Sequence, residues 1–522
     1  MKNRYDIAVV GSGFAGSLIA MIAKRLGHSV VLLDKGKHPR VVIGESSTPL
    51  TNLLLEELAM RYELPAVKPL TKWGSWQREY PAISCGLKRG FTFYHHDLHQ
   101  PTNCPPDRES QLLVAASPNN DIADTHWYRA DFDEFLVGHA LALGVDYVDE
   151  VDLTSVAKSN KEITLTGFHK NGPLTVSAEF VIDASGPRGF LHRALGLQEQ
   201  DLPRYPGTQA IYSHFVGVGR LEDIAFGANK ATPPYPIDAA AVHHVFDGGW
   251  VWVLQFNNGV TSAGIAATDR LAEDFNFAEG PVAWQRLLRK VPALREQFAG
   301  AIPARPFTHI PKLSFHSSMI TGDRWVMLPS AAGFVDPLLS TGFPLTLLGV
   351  SRLAEIIQHD WGSDKFHAGL ATYANQTRAE LFVTARLVGS LYANMAIFPV
   401  FSALTLLYFA AASYSETARR LGKPHLAASF LLHDHPTFGL VCRDLMRRSQ
   451  IERTPQESKH LVKDILKAIE PINVAGLGNA ALRNWYRVDT EDMFRAAGKV
   501  EATQDEIAEL LDRCGFSMPQ RV

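Results

Sequence analysis

Residues 5–35 read YDIAVVGSGFAGSLIAMIAKRLGHSVVLLDK, running from Tyr5 to Lys35. The β-branched run Ile7 to Val10 predicts a strand, and Leu18, Ile19, Ile22 and Leu26 recur at helical spacing behind it. Between them stand Gly11, Gly13 and Gly16 in G-x-G-x-x-G order, with Ala15 inside the turn. Gly11 permits a tight turn, Gly13 lets backbone approach a pyrophosphate, and Gly16 lets helix and strand pack closely. The helix N-terminus then points at the phosphates. Asp34 closes the second strand beside Lys35, where a carboxylate can accept hydrogen bonds from a ribose and repel the extra phosphate of an NADP-type ribose. Strand, turn, helix, strand and acid in register predict a dinucleotide site at the start of an α/β fold. They leave the dinucleotide unnamed.

A chain of 522 residues exceeds one compact core, so two or three units sharing interfaces are expected. The net charge of -3 with mixed signs argues against nucleic acid or an anionic membrane as the main target and favours a small substrate. Cys85, Cys104, Cys442 and Cys514 lie far apart, without C-x-x-C or metal-type spacing, which suits a reducing compartment. Only Met1 to Arg4 precede the first strand, so a cytoplasmic protein is expected. Residues Leu387 to Ser415 carry no charge, a length that would admit a membrane span. Pro399, interspersed Ser and Asn, and the charged run from Glu416 instead predict two buried helices broken near Pro399.

Further motifs follow in order. Gly44, Glu45 and Ser46, with Pro49, precede a predicted amphipathic helix carrying Leu53, Leu54, Leu55 and Leu58; by themselves they read as a capped helix start. Lys88 stands in GLKRGFTF, where a lysine beside an arginine would ordinarily be a solvated pair. Arg129 opens YRADFDEFL, and Asp183 and Gly186 belong to VIDASG. Residues 145–182 alternate short strands with polar turns, predicting a three-stranded antiparallel excursion. In GGWVWVLQFNNG, Trp250, Trp252 and Leu254 alternate onto one face, Val251 and Val253 onto the other, before a turn at Asn257-Asn258-Gly259. Asp336 and Pro337 lead through Ser340, Thr341 and Gly342 into an apolar helix, which either hydroxyl could cap.

Taken together these segments resemble the flavin-dependent halogenases, the tryptophan halogenase-like branch of FAD monooxygenase-fold proteins. Gly44 to Pro49 is similar to a stretch lying against FAD, Arg129 and the Asp183–Gly186 turn to further FAD contacts, and Asp336 to Gly342 to the segment beside the isoalloxazine. Lys88 resembles the family's catalytic lysine in a K-x-G-x-x-F context. Gly249, Trp250, Trp252, Gly259, Thr261, Ser262 and Gly264 match its G-W-x-W and G-x-T-S-x-G signatures, although Leu254 and Gln255 replace an Ile-Pro pair. Ser340 and Thr341, with Gly342, match a halide site, while Leu339 takes the place of a glutamate that tryptophan halogenases use.

The resemblance implies a fold with an FAD-binding Rossmann-like domain of the aromatic-hydroxylase or glutathione-reductase type (1–205 and 305–365), a substrate-side antiparallel sheet (206–304) and a helical C-terminal region (366–522). It implies FAD, supplied as FADH2 by a transient flavin reductase, and chloride or bromide, which with oxygen give hypohalous acid. Lys88 would hold that oxidant toward an electron-rich phenol, pyrrole or indole, free or tethered to a carrier, and Trp250 and Trp252 would stand between flavin and acceptor. The rival expectations are a monooxygenase or reductase of an aromatic or polyprenyl substrate using NAD(P)H directly, and a fold used without net redox. No second G-x-G-x-x-G follows a strand, which disfavours tightly bound NAD(P)H.

Overall fold

The computed structural model describes residues 4–99, 108–225 and 232–516; Cys104 lies outside them. The opening stretch forms strand β1 (Arg4–Val10), helix α1 (Phe14–Arg25) and strand β2 (Val30–Leu33). β1 is the centre of a parallel layer, with β2 on one side and Gly172–Asp183 on the other. Asp146–Val148 extends the layer beyond β2, and Trp325–Met327 beyond Gly172–Asp183. Both faces of such a layer are covered, so β1 and β2 are apolar without alternation and bury Ile7, Val9 and Leu32 completely. The expected excursion is present: Val151–Lys158, Ile163–His169 and Gly172–Asp183 pair antiparallel. It returns the chain so that Asp183 ends level with Val10, beside the glycine turn.

A second, nine-stranded sheet contains Thr208–Val216, Val260–Thr268, Gly249–Gln255 and Ala241–Phe246. It also takes strands from outside 206–304, namely β4 (Gly90–His95), β5 (Gln111–Ala115), Thr308–Ile310 and, from the C-terminal region, Trp485–Tyr486. The period-two expectation holds. Trp250, Trp252 and Leu254 enter the main core, and Val251 and Val253 face a separate core with Phe215 and Trp284. A two-stranded antiparallel ribbon, β3 (Cys85–Lys88) with β6 (Asp124–Trp127), connects the layers.

Helix α2 (Pro49–Arg61) departs from the expected amphipathic pattern. It is buried on almost every side, Asn52, Leu53, Leu54, Leu55 and Leu58 alike, because the helices Gly342–Asp360 and Phe398–Arg420 both pack on it. The uncharged stretch forms two helices, Lys365–Tyr392 and Phe398–Arg420, with Pro399 in the first turn of the second, where a missing N–H costs nothing. By length and composition Phe398–Arg420 could cross a membrane, but 83% of its most apolar window is buried inside the protein.

Candidate active site

The glycine turn is shaped by its neighbours. Gly11 has φ +102°, and a Cβ there would lie 2.5 Å from the Ala184 carbonyl oxygen, so this position needs glycine for its dihedral and for the approach of the VIDASG turn. At Gly16 a Cβ would come within 1.8 Å of the Gly11 carbonyl oxygen. Gly13 is the extended N-cap of α1 and no side chain caps that helix, so the first-turn N–H groups ahead of Ser17 N, which donates to the Gly13 carbonyl, are left for an anion. Asp34 is buried and already well supplied. One oxygen accepts from Ser12 N (2.6 Å), Ser12 Oγ (2.7 Å) and Arg40 (2.9 Å), the other from Gly36 N (2.7 Å). Lys35 turns outward to an exposed ion pair with Asp152.

Residues 44–46 are a junction. The Gly44 carbonyl accepts from Arg129 (2.9 Å), whose other nitrogens form a two-pronged, buried pair with Asp133 at 2.8 and 2.7 Å. That guanidinium also lies against Gly13, where a Cβ would sit 3.4 Å from it. The buried Glu45 carboxylate meets His214 Nε2 of the second sheet at 2.7 Å. Ser46 Oγ accepts from Lys88 Nζ at 2.7 Å. Three consecutive residues thus tie the dinucleotide turn, the second sheet and the β3–β6 ribbon together. The hydroxyls around Pro49 divide the work: Thr48 caps α2 at Thr51 N, Ser47 bonds the Thr125 carbonyl, and Ser46 is left for the lysine.

Lys88 is no solvated surface residue. It is wholly buried, donates to Ser46 Oγ and the Ser47 carbonyl, and holds its ammonium 3.7 Å from the centre of the Phe91 ring. Burial pulls its pKa down, with Asp124 opposing that shift. Asp124 is the residue directly across the antiparallel ribbon, so both side chains project to one face. From Phe91 a file of rings continues through His243 to Trp250 and Trp252. Trp250 Nε1 donates to the Tyr392 hydroxyl (3.2 Å) and Trp252 Nε1 to Ser262 Oγ (3.3 Å). Gly264 makes room for the second indole, since a Cβ there would fall 2.4 Å from it.

Asp183 and Asp336 spend their carboxylates on the chain itself. Asp183 accepts from Ser185 and from Leu191 N, fixing the VIDASG turn against the short helix that follows, and Gly186, at φ +83°, has open space where a side chain would be. Asp336 accepts from Tyr205 (2.8 Å), Tyr392 (2.9 Å) and Leu338 N (2.9 Å), and burial pushes its pKa up to about 6. The turn it anchors is strained. Leu339 and Ser340 are consecutive residues at φ +64° and +56°, each about 1–2 kcal/mol above the right-handed conformation. Thr341 precedes the helix Gly342–Asp360 without capping it, so the capping role open to either hydroxyl is not taken up there and the N-terminus is left without a side-chain acceptor. The Tyr408 hydroxyl holds the Leu339 carbonyl at 3.0 Å.

Residues 123–395, more than half of the chain, match the family model described as tryptophan halogenase. The chain belongs to the tryptophan halogenase family. It is an enzyme of flavin-dependent halogenation, with FAD as cofactor and chloride or bromide as the halide. It is 28% identical to tetracycline 7-halogenase of Kitasatospora aureofaciens over 84% of this chain and 80% of that one. Against monodechloroaminopyrrolnitrin halogenase of Pseudomonas fluorescens it is again 28% identical, over 73% of this chain and 66% of the relative. A crystal structure of halogenase PltM in complex with phloroglucinol and FAD superposes with a TM-score of 0.79 at 23% identity, covering 92% of this chain and 99% of that one.

The residues present in this halogenase fit FAD. The Gly11 cradle, the uncapped α1 and the Arg129–Gly44 contact converge on one edge of the parallel layer. Beside them stand residues that sequence reasoning missed. Arg40 and His38 reach Asp34 and Ser12 from a loop with no pattern of its own. His214, Tyr205, Tyr392 and Tyr408 come from distant segments and gave no local signal. Phe91, Tyr408 and Phe409 wall a cavity of about 180 Å³ next to Lys88, with Asn52 and Asp124 among its polar lining.

Proposed function

We propose that this enzyme halogenates an electron-rich aromatic acceptor of phenol, pyrrole or indole type, with Lys88 as the working amine. The observation that carries the reading is the placement of one buried amine. Lys88 hangs on Ser46, two residues from the carbonyl that Arg129 fastens to the glycine turn, and its ammonium packs on Phe91, whose ring lines an apolar cavity. Bound FAD, reduced and with oxygen, supplies the oxidising equivalent that turns halide into hypohalous acid. Gly11, Gly13, Ala15, Gly16 and Arg129 would hold its pyrophosphate, Asp34 and Arg40 the adenosine end, and Gly44 to Ser46, Gly186 and Asp336 would shape the pocket around it. Ser340, Thr341 and Gly342 would receive the halide, a role supported by the strained turn and the uncapped helix end.

Lys88 then donates a hydrogen bond to the oxygen of hypohalous acid, polarising the O–X bond, and its lowered pKa gives access to a neutral amine that can itself take the halogen. Trp250 and Trp252 fill the space beside this route, keeping the organic acceptor from the oxidising centre. Reduced flavin would come from a separate reductase, and the acceptor would arrive free or on a carrier. The test supplies FAD, a flavin reductase, NADH, bromide or chloride and a panel of phenols, pyrroles and indoles. Halide-dependent products with the isotope pattern of chlorine or bromine are expected; equal turnover without halide would reject halogenation, and NADH oxidation without the reductase would point to a single-component oxygenase.

A further inference from the structure

The cavity beside Lys88 contains an incomplete hydrogen-bond set. Asp124 and Asn52 are both buried, and Asn52 Nδ2 donates to Asp124 Oδ1 at 2.8 Å. The remaining oxygens, Asp124 Oδ2 and Asn52 Oδ1, have no hydrogen-bond partner among the described residues. Buried polar atoms are satisfied in the great majority of cases, because an orphaned acceptor carries its full desolvation penalty. Here two acceptors from different elements, β6 and α2, are orphaned together in the lining of one cavity. Lys88 makes no hydrogen bond to either: its two run to Ser46 and Ser47, although it lies opposite Asp124 in the ribbon. What fits is a donor, carried by something flat and apolar enough for walls made by Phe91, Tyr408 and Phe409. The volume of about 180 Å³ exceeds the roughly 150 Å³ cavity that accepts benzene.

We infer that Asp124 is a second catalytic residue, binding the hydroxyl of a phenolic acceptor and taking its proton while Lys88 delivers the halogen. The inference rests on Lys88 as the working amine and narrows the acceptor class to phenols. In the reacting complex the phenol O–H points at Asp124 Oδ2, which orients the ring toward Lys88. The C–X bond forms as the X–O bond of hypohalous acid breaks, and two electrons pass from the ring to the halogen. The phenolic proton moves to Asp124, leaving a ring ketone. A proton from Lys88 converts the departing hydroxide to water. The ring carbon then loses its proton, which restores Lys88, and Asp124 returns the first proton to the oxygen. The sum is phenol plus HOX giving halophenol plus water. Asn52 is a positioning residue that holds the Asp124 carboxylate in place.

The test compares a phenol with its methyl ether, which keeps the ring and loses the donor. The wild-type protein should bind the phenol about tenfold more tightly or better in a direct titration, the difference a hydrogen bond to a charged group makes; equal affinities would overturn the inference without any variant having to fold. In turnover, Asp124→Asn should lower kcat on the phenol by about 100-fold or more and collapse the phenol-to-ether preference to under about threefold. A preference kept by Asp124→Asn would equally overturn it. If the wild-type enzyme gives no halide-dependent product from any arene, the halogenation reading fails, and the affinity comparison still decides what Asp124 binds.

Discussion

The two halves of the site treat their carboxylates in opposite ways. Around the glycine turn and the flavin-side loop, Asp34, Asp133, Asp183 and Asp336 each have both oxygens filled by donors of the chain. In the cavity, Asp124 has one oxygen without a partner among the described residues. The saturated acids are structural parts: they fix turns, so that backbone N–H groups and glycine surfaces meet the cofactor. The unsaturated acid sits where no backbone needs fixing, opposite a lysine that gives two hydrogen bonds to Ser46 and Ser47. A buried charge is costly unless paired, so saturation marks residues that hold the fold and incompleteness marks those waiting for a ligand.

The largest expected effect falls on the cavity side. Lys88→Ala should reduce halogenated product by about 10³-fold or more while NADH consumption with reductase continues, because the oxidant is made before the amine acts. Lys88→Arg should recover little, since a guanidinium keeps its charge and has a different reach. Product analysis beside oxygen uptake checks both. An active Lys88→Ala enzyme with unchanged regiochemistry would move the chemistry away from this cavity and remove the contrast.

On the cofactor side the effect is on stability. Arg129→Ala strands the fully buried Asp133 without its partner and frees the Gly44 carbonyl, which should cost about 3–5 kcal/mol in denaturant titration and weaken FAD binding with it. Asp124→Asn should have the reverse sign. Replacing a half-satisfied buried carboxylate by a neutral amide removes a desolvation penalty, so the variant should be more stable by about 1 kcal/mol although it halogenates phenols poorly. A loss of several kcal/mol would class Asp124 with the saturated acids.

This contrast also explains what the sequence disclosed. The fold was legible where function is written in short spans: the G-x-G-x-x-G turn with Asp34, the excursion ending at Asp183, the alternating Trp250–Leu254 strand and the helix break before Pro399 all depend on neighbours within about twenty residues. Lys88 was picked out by resemblance alone, since its burial follows from Ser46 and Phe91 on separate elements. Asp124, in ADTHW, reads as a polar strand end; its meaning comes from the register that sets it against Lys88, 36 positions earlier, and from Asn52 on a helix whose nearly all-round burial no local periodicity announces. The sharing of strands between the second sheet and residues 90–115 and 485–486 is likewise a product of long-range pairing.

The smallest effect tests the saturated side most finely. Tyr392→Phe removes one of three donors to Asp336 and the acceptor for Trp250 Nε1, at an expected cost of about 1–2 kcal/mol near neutral pH. Its pH dependence has a definite sign. The Asp336 carboxyl titrates at about 6 in the fold and near 4 when unfolded, so between those values the native state holds more protons and stability falls as pH rises. Losing a donor that favours the charged form lifts the folded pKa further and extends the fall to higher pH. The gap between wild type and Tyr392→Phe should therefore be smaller at pH 5, where Asp336 is largely protonated in both, and widen toward pH 8. Parallel denaturation curves at the two pH values measure it. A gap independent of pH would mean that Tyr392 supports Trp250 and the aromatic packing alone, and Asp336 would then owe its position to Tyr205 and the Leu338 N–H.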